Sequence, residues 1–229
     1  MKERIEKLLK NLLLEYIKTA EPVASSLLVD KLDEKVSSAT IRSELVELEK
    51  AGFIYQPHTS AGRVPTEKAY QYFVDNFLVE KKLSAKSLQA LAPYLKINKS
   101  DREKLKSLAK EFAELTGDAV VLAFAENDIF YTGLSNIFSK PEFEDKNLLI
   151  DLSKIIDHLD QVIYDIFDQT TNINIKIGSD CPFGQRCASI FTPLQLADAK
   201  LLLAVVGPMR MDYSANYNLI KFIAEKYKS

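Results

Sequence analysis

Two short clusters in this chain hold side chains that could read a nucleic acid. The first is Ser38, Thr40, Arg42 and Ser43, with Ala39 between them. Short hydroxyls reach base edges and phosphates, a guanidinium binds guanine or a phosphate oxygen, and an alanine methyl can touch thymine. The second cluster is His58, Thr59, Ser60 and Arg63, gathered around a turn. Hydroxyls and backbone amides at such a tip meet phosphates, and an arginine can enter a narrow minor groove.

Other chemistry finds little support. His58 and His158 lie far apart, and no nucleophile elbow, phosphate-binding glycine loop or metal-ligand cluster is present in the sequence. Glu142, Glu144 and Asp145 follow Pro141 and read as a solvated acidic loop. Cys181 and Cys187 read as free structural thiols and point to a reducing compartment. The expectation is a non-enzyme with no cofactor and no metal.

The elements that position the two clusters lie in the stretch Val36–Tyr72. A third helix starts after Ser37 or Ser38, either of which can cap it. Ile41, Leu45 and Leu48 form its buried stripe, which turns Ala39, Thr40, Arg42, Ser43, Val46 and Glu47 outward. Gly52 ends it as a left-handed cap. Phe53 to Tyr55 and Arg63–Val64 are the strands of a hairpin with its tip at 56–62, and Pro65-Thr66-Glu67 opens a fourth helix reaching about Val79. Two helices precede these. One carries Ile5, Leu8, Leu9, Leu12, Leu13 and Tyr16 and ends near Thr19; the next begins at Pro22. Helix followed by hairpin is the order of a winged helix-turn-helix, whose recognition helix lies in the major groove.

A linker is expected over 81–100, dividing a DNA-binding domain at 1–80 from a second domain at 101–229. The second part alternates: a helix to Thr116, strands at 119–125 and 129–133, a long helix at 148–167, strands at 173–177, 187–192 and 201–206, and a last helix opened by Asp212 or Ser214. That order predicts an α+β layer, one sheet with helices packed on it.

The bulk properties bound the rest. The chain has 229 residues, 47% of them hydrophobic, and a formal charge of −2. That acidity argues mildly against nucleic acid, although binding depends on a local patch rather than the sum. No run approaches the ~18 apolar residues of a membrane span, and the N-terminus lacks a signal peptide's pattern. A cytoplasmic protein is expected.

The segment SSATIRSELVELEKAGFIYQPHTSAGRVPT resembles the signature block of the HrcA family, bacterial heat-inducible transcription repressors. EYIKTAEPVASSLL, YQYFVD, TGLSNIFSKPEF and GPMRMDYS are similar to further blocks in the expected order. Likeness covers most of the chain and is weak at about 79–101 and 174–202. The resemblance implies a winged helix followed by a GAF-like domain. It implies homodimers on an inverted-repeat operator in double-stranded DNA upstream of chaperone genes, with activity that depends on a GroEL-type chaperonin. Carried over by position, DNA contact falls on Ser38, Thr40, Arg42 and Ser43, with His58 and Arg63 in the hairpin.

The sequence departs from that family in one large respect. Typical members carry a dimerising insert between the segments matching AVVLAF and YTGLSN, and here only Ala125 to Phe130 lies between them. Any dimer must therefore use another face. Ser43 and Ala69 stand where the family usually has Asn and Gly. Two other readings stay open: a ligand-sensing GAF-like regulator with a pocket walled by 119–125 and 201–206, and a protein-interaction module that has lost DNA binding.

Overall fold

The computed structural model describes residues 2–32, 37–97, 101–196 and 199–227. Val36 and residues 98–100 of the expected linker lie outside the described residues. The chain forms two compact units, Met1–Leu78 and Val79–Ser229, and its architecture is mixed α and β.

The first unit opens with α1 (Glu3–Thr19), whose Ile5, Leu8, Leu9, Leu12 and Leu13 are all buried. Helix α2 is short, Ser25–Val29, and does not begin at Pro22 as expected. Val23 is extended instead: its N–H donates to Arg63 O, and Arg63 N–H donates back to Val23 O, both at 2.9 Å. A helix starting at Pro22 would divert those backbone groups. Helix α3 (Ser38–Lys50) is capped by Ser37, whose Oγ accepts from Thr40 N–H at 3.1 Å. It buries Ile41, Leu45 and Leu48, and Gly52 follows it with φ of 76°. The hairpin pairs β1 (Ile54–Tyr55) with β2 (Val64–Pro65). Helix α4 spans Glu67–Phe77. Thr66 Oγ1 donates to Gly52 O at 2.7 Å and Lys68 Nζ donates to Ala51 O at 2.7 Å. The end of α3 is thereby fastened to the start of α4.

In the second unit the stretch expected as a linker carries its own structure. Helix α5 (Ala85–Leu91) is capped by Ser84 and runs into a 3-10 turn at Ala92–Tyr94. Leu91 is fully buried, and Ile97 N–H donates to Tyr227 Oη at 3.2 Å. A helix this short shows too few turns for an apolar period to stand out. Helix α6 (Arg102–Thr116) follows, capped by Asp101 and stopped by Gly117 at φ 63°.

Five strands form one antiparallel sheet: β3 (Ala119–Ala125), β4 (Asp128–Thr132), β5 (Asn174–Ile177), β6 (Cys187–Leu196) and β7 (Ala199–Pro208). The order across it is β4-β3-β7-β6-β5. Alternation sends Val121, Ala123, Phe191, Leu202 and Ala204 into a cluster with side chains of α7 (Leu134–Phe138), α8 (Lys146–Asp157) and α9 (Leu159–Phe167). The alternate residues, such as Val120, Leu122 and Val205, turn to the face where α6 and α10 (Tyr213–Lys226) pack. Covered on both faces, the sheet reads as near-continuous apolar runs. The helix expected over 148–167 is two helices broken at His158, which has φ −118° and ψ 28°. Apolar periodicity runs straight across that break and so cannot disclose it.

Candidate nucleic-acid interface

Three elements of the first unit supply the candidate face: α3, the hairpin tip, and the start of α2. The stripe of Ile41, Leu45 and Leu48 rolls α3 so that Ser38, Ala39, Arg42, Ser43, Val46 and Glu47 are exposed, as the spacing predicts. Thr40 is half-buried, and its hydroxyl lies 2.9 Å from the Ser37 hydroxyl within the cap. Arg42 has no hydrogen-bond or ion-pair partner among the described residues, so its guanidinium is available to a ligand.

Two acids near this face are engaged by arginines. Glu44 is buried, and Arg4 Nε donates to its Oε1 at 2.6 Å. Glu49 holds Arg63, with Nη2 to Oε2 at 3.1 Å. Two of the three glutamates of α3 are thus neutralised by arginines of α1 and the hairpin. Glu47 remains outward. No local signal discloses these pairs, because each partner sits on another element.

The hairpin tip is organised by a residue that the sequence reading passed over. Gln56 Nε2 donates to Thr59 O and to Ala61 O, both at 2.9 Å. Ala61 N–H donates to His58 O at 2.8 Å. These bonds leave the side chains of His58, Thr59 and Ser60 exposed. At Gly62 a Cβ would meet the carbonyl oxygens of Pro22 and Val23 at 2.5 Å, so only glycine allows the hairpin this close to the chain before α2. A cleft of about 500 Å³ results, lined by Ser25, Arg42, Val46, Thr59 and Ser60 among others.

Arg63, expected from sequence as a DNA contact in the hairpin, has a side chain only 16% exposed and engaged by Glu49. Of the predicted residues, the structure gathers Ser38, Arg42, Ser43, Thr59 and Ser60 as exposed groups of one unit and sets Arg63 into its frame.

In the second unit the motifs TGLSNIFSKPEF and GPMRMDYS meet at a buried polar centre. Asp118, 1% exposed, pairs with Lys140 and accepts from Asn216 Nδ2 at 2.9 Å. Burial pushes the Asp118 carboxyl above the usual carboxylate range, while Lys140 and Asn216 pull it back. Arg210 pairs with Glu142, its Nη2 lying 3.0 Å from Oε2, and Arg186 pairs with Asp145 at 2.6 Å. The acidic stretch after Pro141 is therefore not simply solvated: two of its three carboxylates are held by arginines.

Cys181 and Cys187 are free and buried. Burial and the neighbouring Cys181 thiol push Cys187 up to about 12. Over 119–123 and 201–206 the strands named as walls of a ligand pocket are packed, with Phe124 and Ala125 lining a separate open cleft, and the void bounded by Ala119, Val121, Phe183 and Val206 is about 20 Å³. That is room for about one water rather than a metabolite. Among the described residues, no helix is long and apolar enough to cross a membrane.

Residues 68–216 match the family described as HrcA protein C terminal domain. The heat-inducible transcription repressor HrcA of Bifidobacterium longum (strain DJO10A) is 43% identical over 109 residues, 48% of this chain and 29% of that protein. The repressor of the same name from Clostridioides difficile (strain 630) is 28% identical over 339 aligned residues, taking in 98% of each chain. A crystal structure of a hypothetical protein at 2.2 Å resolution has a TM-score of 0.79 at 17% identity, covering 99% of this chain and 98% of that one. At that identity the likeness is one of fold.

Proposed function

The chain belongs to the HrcA family, and from that premise we propose that it is a heat-inducible transcription repressor that binds duplex DNA through its first unit. In this reading the first unit is a winged helix-turn-helix and the second a GAF-like domain. Helix α3 enters the major groove, with Ser38, Thr40, Arg42 and Ser43 toward base edges and phosphates. The hairpin tip lies beside it and brings His58, Thr59 and Ser60 to the backbone. Two copies on an inverted repeat would double these contacts and fix the half-site spacing. Dependence on a chaperonin belongs to the same proposal through the family.

One observation carries the reading. The outward face of α3 keeps small polar residues and an unpaired Arg42 exposed, while Glu44 and Glu49 are drawn inward by Arg4 and Arg63. A helix that merely covered a core would have no need to hide its acids.

Gel-shift titration on an operator and a scrambled duplex tests it. Arg42→Ala is expected to weaken both complexes alike and to lower the salt slope by about one. Thr40→Ala is expected to erode the preference for the operator. Unchanged affinity in both variants would remove α3 from the interface.

A further inference from the structure

We propose that Arg63 is a positioning residue that braces the hairpin against α3 and does not itself contact DNA. The inference rests on the DNA-binding reading above and assigns one of its residues a different task. Four observations carry it. The guanidinium is only 16% exposed, and Nη2 lies 3.1 Å from Oε2 of Glu49 in the last turn of α3. Its Nε is enclosed, with no acceptor among the described residues. Its backbone is bonded in both directions to Val23, at 2.9 Å each way. Its neighbour Gly62 is pressed against the same strand segment, where a Cβ would not fit.

Arg63 thus joins three pieces of chain: the return limb of the hairpin just before β2, the extended residue before α2, and the end of α3. To reach a phosphate it would have to abandon Glu49 and leave that carboxylate facing the DNA, a repulsive arrangement. Held as it is, it cancels that charge and fixes the height at which Thr59 and Ser60 stand beside Arg42. An exposed arginine is available for contact across the same cleft in Arg42, so the interface does not need a second one from the brace.

The test compares the unmodified protein with Arg63→Gln, Glu49→Gln and the charge-swapped double variant Glu49→Arg/Arg63→Glu. The probe is a duplex that the unmodified protein selects from a random-sequence pool, titrated at several salt concentrations. A brace predicts that both single variants weaken binding by a similar factor, roughly tenfold. The salt slope should stay unchanged, and the swap should restore most of the loss. A direct phosphate contact predicts the opposite pattern. Glu49→Gln would then bind as well as or better than the unmodified protein, Arg63→Gln would lose about one unit of salt slope, and the swap would rescue nothing; that outcome overturns the proposal.

Amide hydrogen exchange without DNA reads the brace directly. The Val23, Ala61 and Arg63 amides should exchange faster in both single variants and recover in the swap, while the melting transition shows that each variant folds. Unchanged exchange in both single variants also overturns it. Failure of the unmodified protein to select any duplex would instead defeat the DNA-binding reading, while the exchange result still decides whether the brace exists.

Discussion

Glu49 and Asp118 are both carboxylates gripped by a cation, yet they lie in opposite surroundings. Glu49 sits at the border of the first unit, its side chain 35% exposed, and the pair with Arg63 clears negative charge from a face that stays open. Asp118 is sealed at the start of β3, and its pair with Lys140 draws TGLSNIFSKPEF onto the sheet while Asn216 draws in α10. The same chemistry therefore prepares a surface in one unit and fastens a core in the other. The difference also predicts how each should respond to substitution. A border pair changes what the surface can bind and contributes little stability, whereas a sealed pair becomes costly as soon as one partner is removed.

The comparison is broken most severely at Asp118. Asp118→Ala leaves Lys140 largely buried without its acid and is expected to cost about 3–5 kcal/mol of the second unit's stability, read by urea denaturation. Removing both charges in Asp118→Ala/Lys140→Met should cost less than the single change, since no cation is then stranded. A single-variant loss under ~1 kcal/mol would show that the pair fastens nothing. Gly62→Ala comes next. Forcing a Cβ onto the Pro22 and Val23 carbonyls should cost roughly 1–3 kcal/mol and weaken DNA binding by displacing the hairpin. A variant with unchanged melting and binding would mean that the contact relaxes freely.

Smaller effects sharpen the contrast. Ser37→Ala removes the cap of α3 and should cost about 1 kcal/mol in the first unit, leaving the second unit's transition in place. Separate transitions are followed through the thiols. Cys181 and Cys187 are both in the second unit and buried, and Cys187 is pushed up to about 12. In the native protein at mildly alkaline pH they should resist alkylation, and labelling should begin only as the second unit opens. Fast labelling of the folded protein would contradict that burial.

The sequence disclosed what is local and repeated. The stripe of α3, its cap at Ser37, the stops at Gly52 and Gly117, and the alternating strands all follow from residues within a few positions of each other. The outward face of α3 came with them. What escaped depends on distant partners or on too short a run. Arg4 and Glu44 are forty positions apart, and Glu142 finds Arg210 on the far side of three strands. The stretch read as a linker folds into α5 because Leu91 and Ile97 find a core elsewhere in the second unit. Val23 leaves the helical state because Arg63 supplies its bonds. The engagement of Arg63 was hidden for the same reason: an arginine beside a hairpin tip looks available until its carboxylate is located.

The return between β3 and β4 has a practical consequence. Ala125 pairs directly with Asp128, leaving only Glu126 and Asn127 to turn the chain. The two ends of that stem are held together by the ladder itself, whatever is strung between them. Lengthening such a stem adds closure entropy only logarithmically, so a whole folded module could be spliced in at Glu126–Asn127 without unzipping the sheet. The Clostridioides difficile relative, aligned over 339 positions against the 229 of this chain, shows that members of the family differ by enough chain to form such a module.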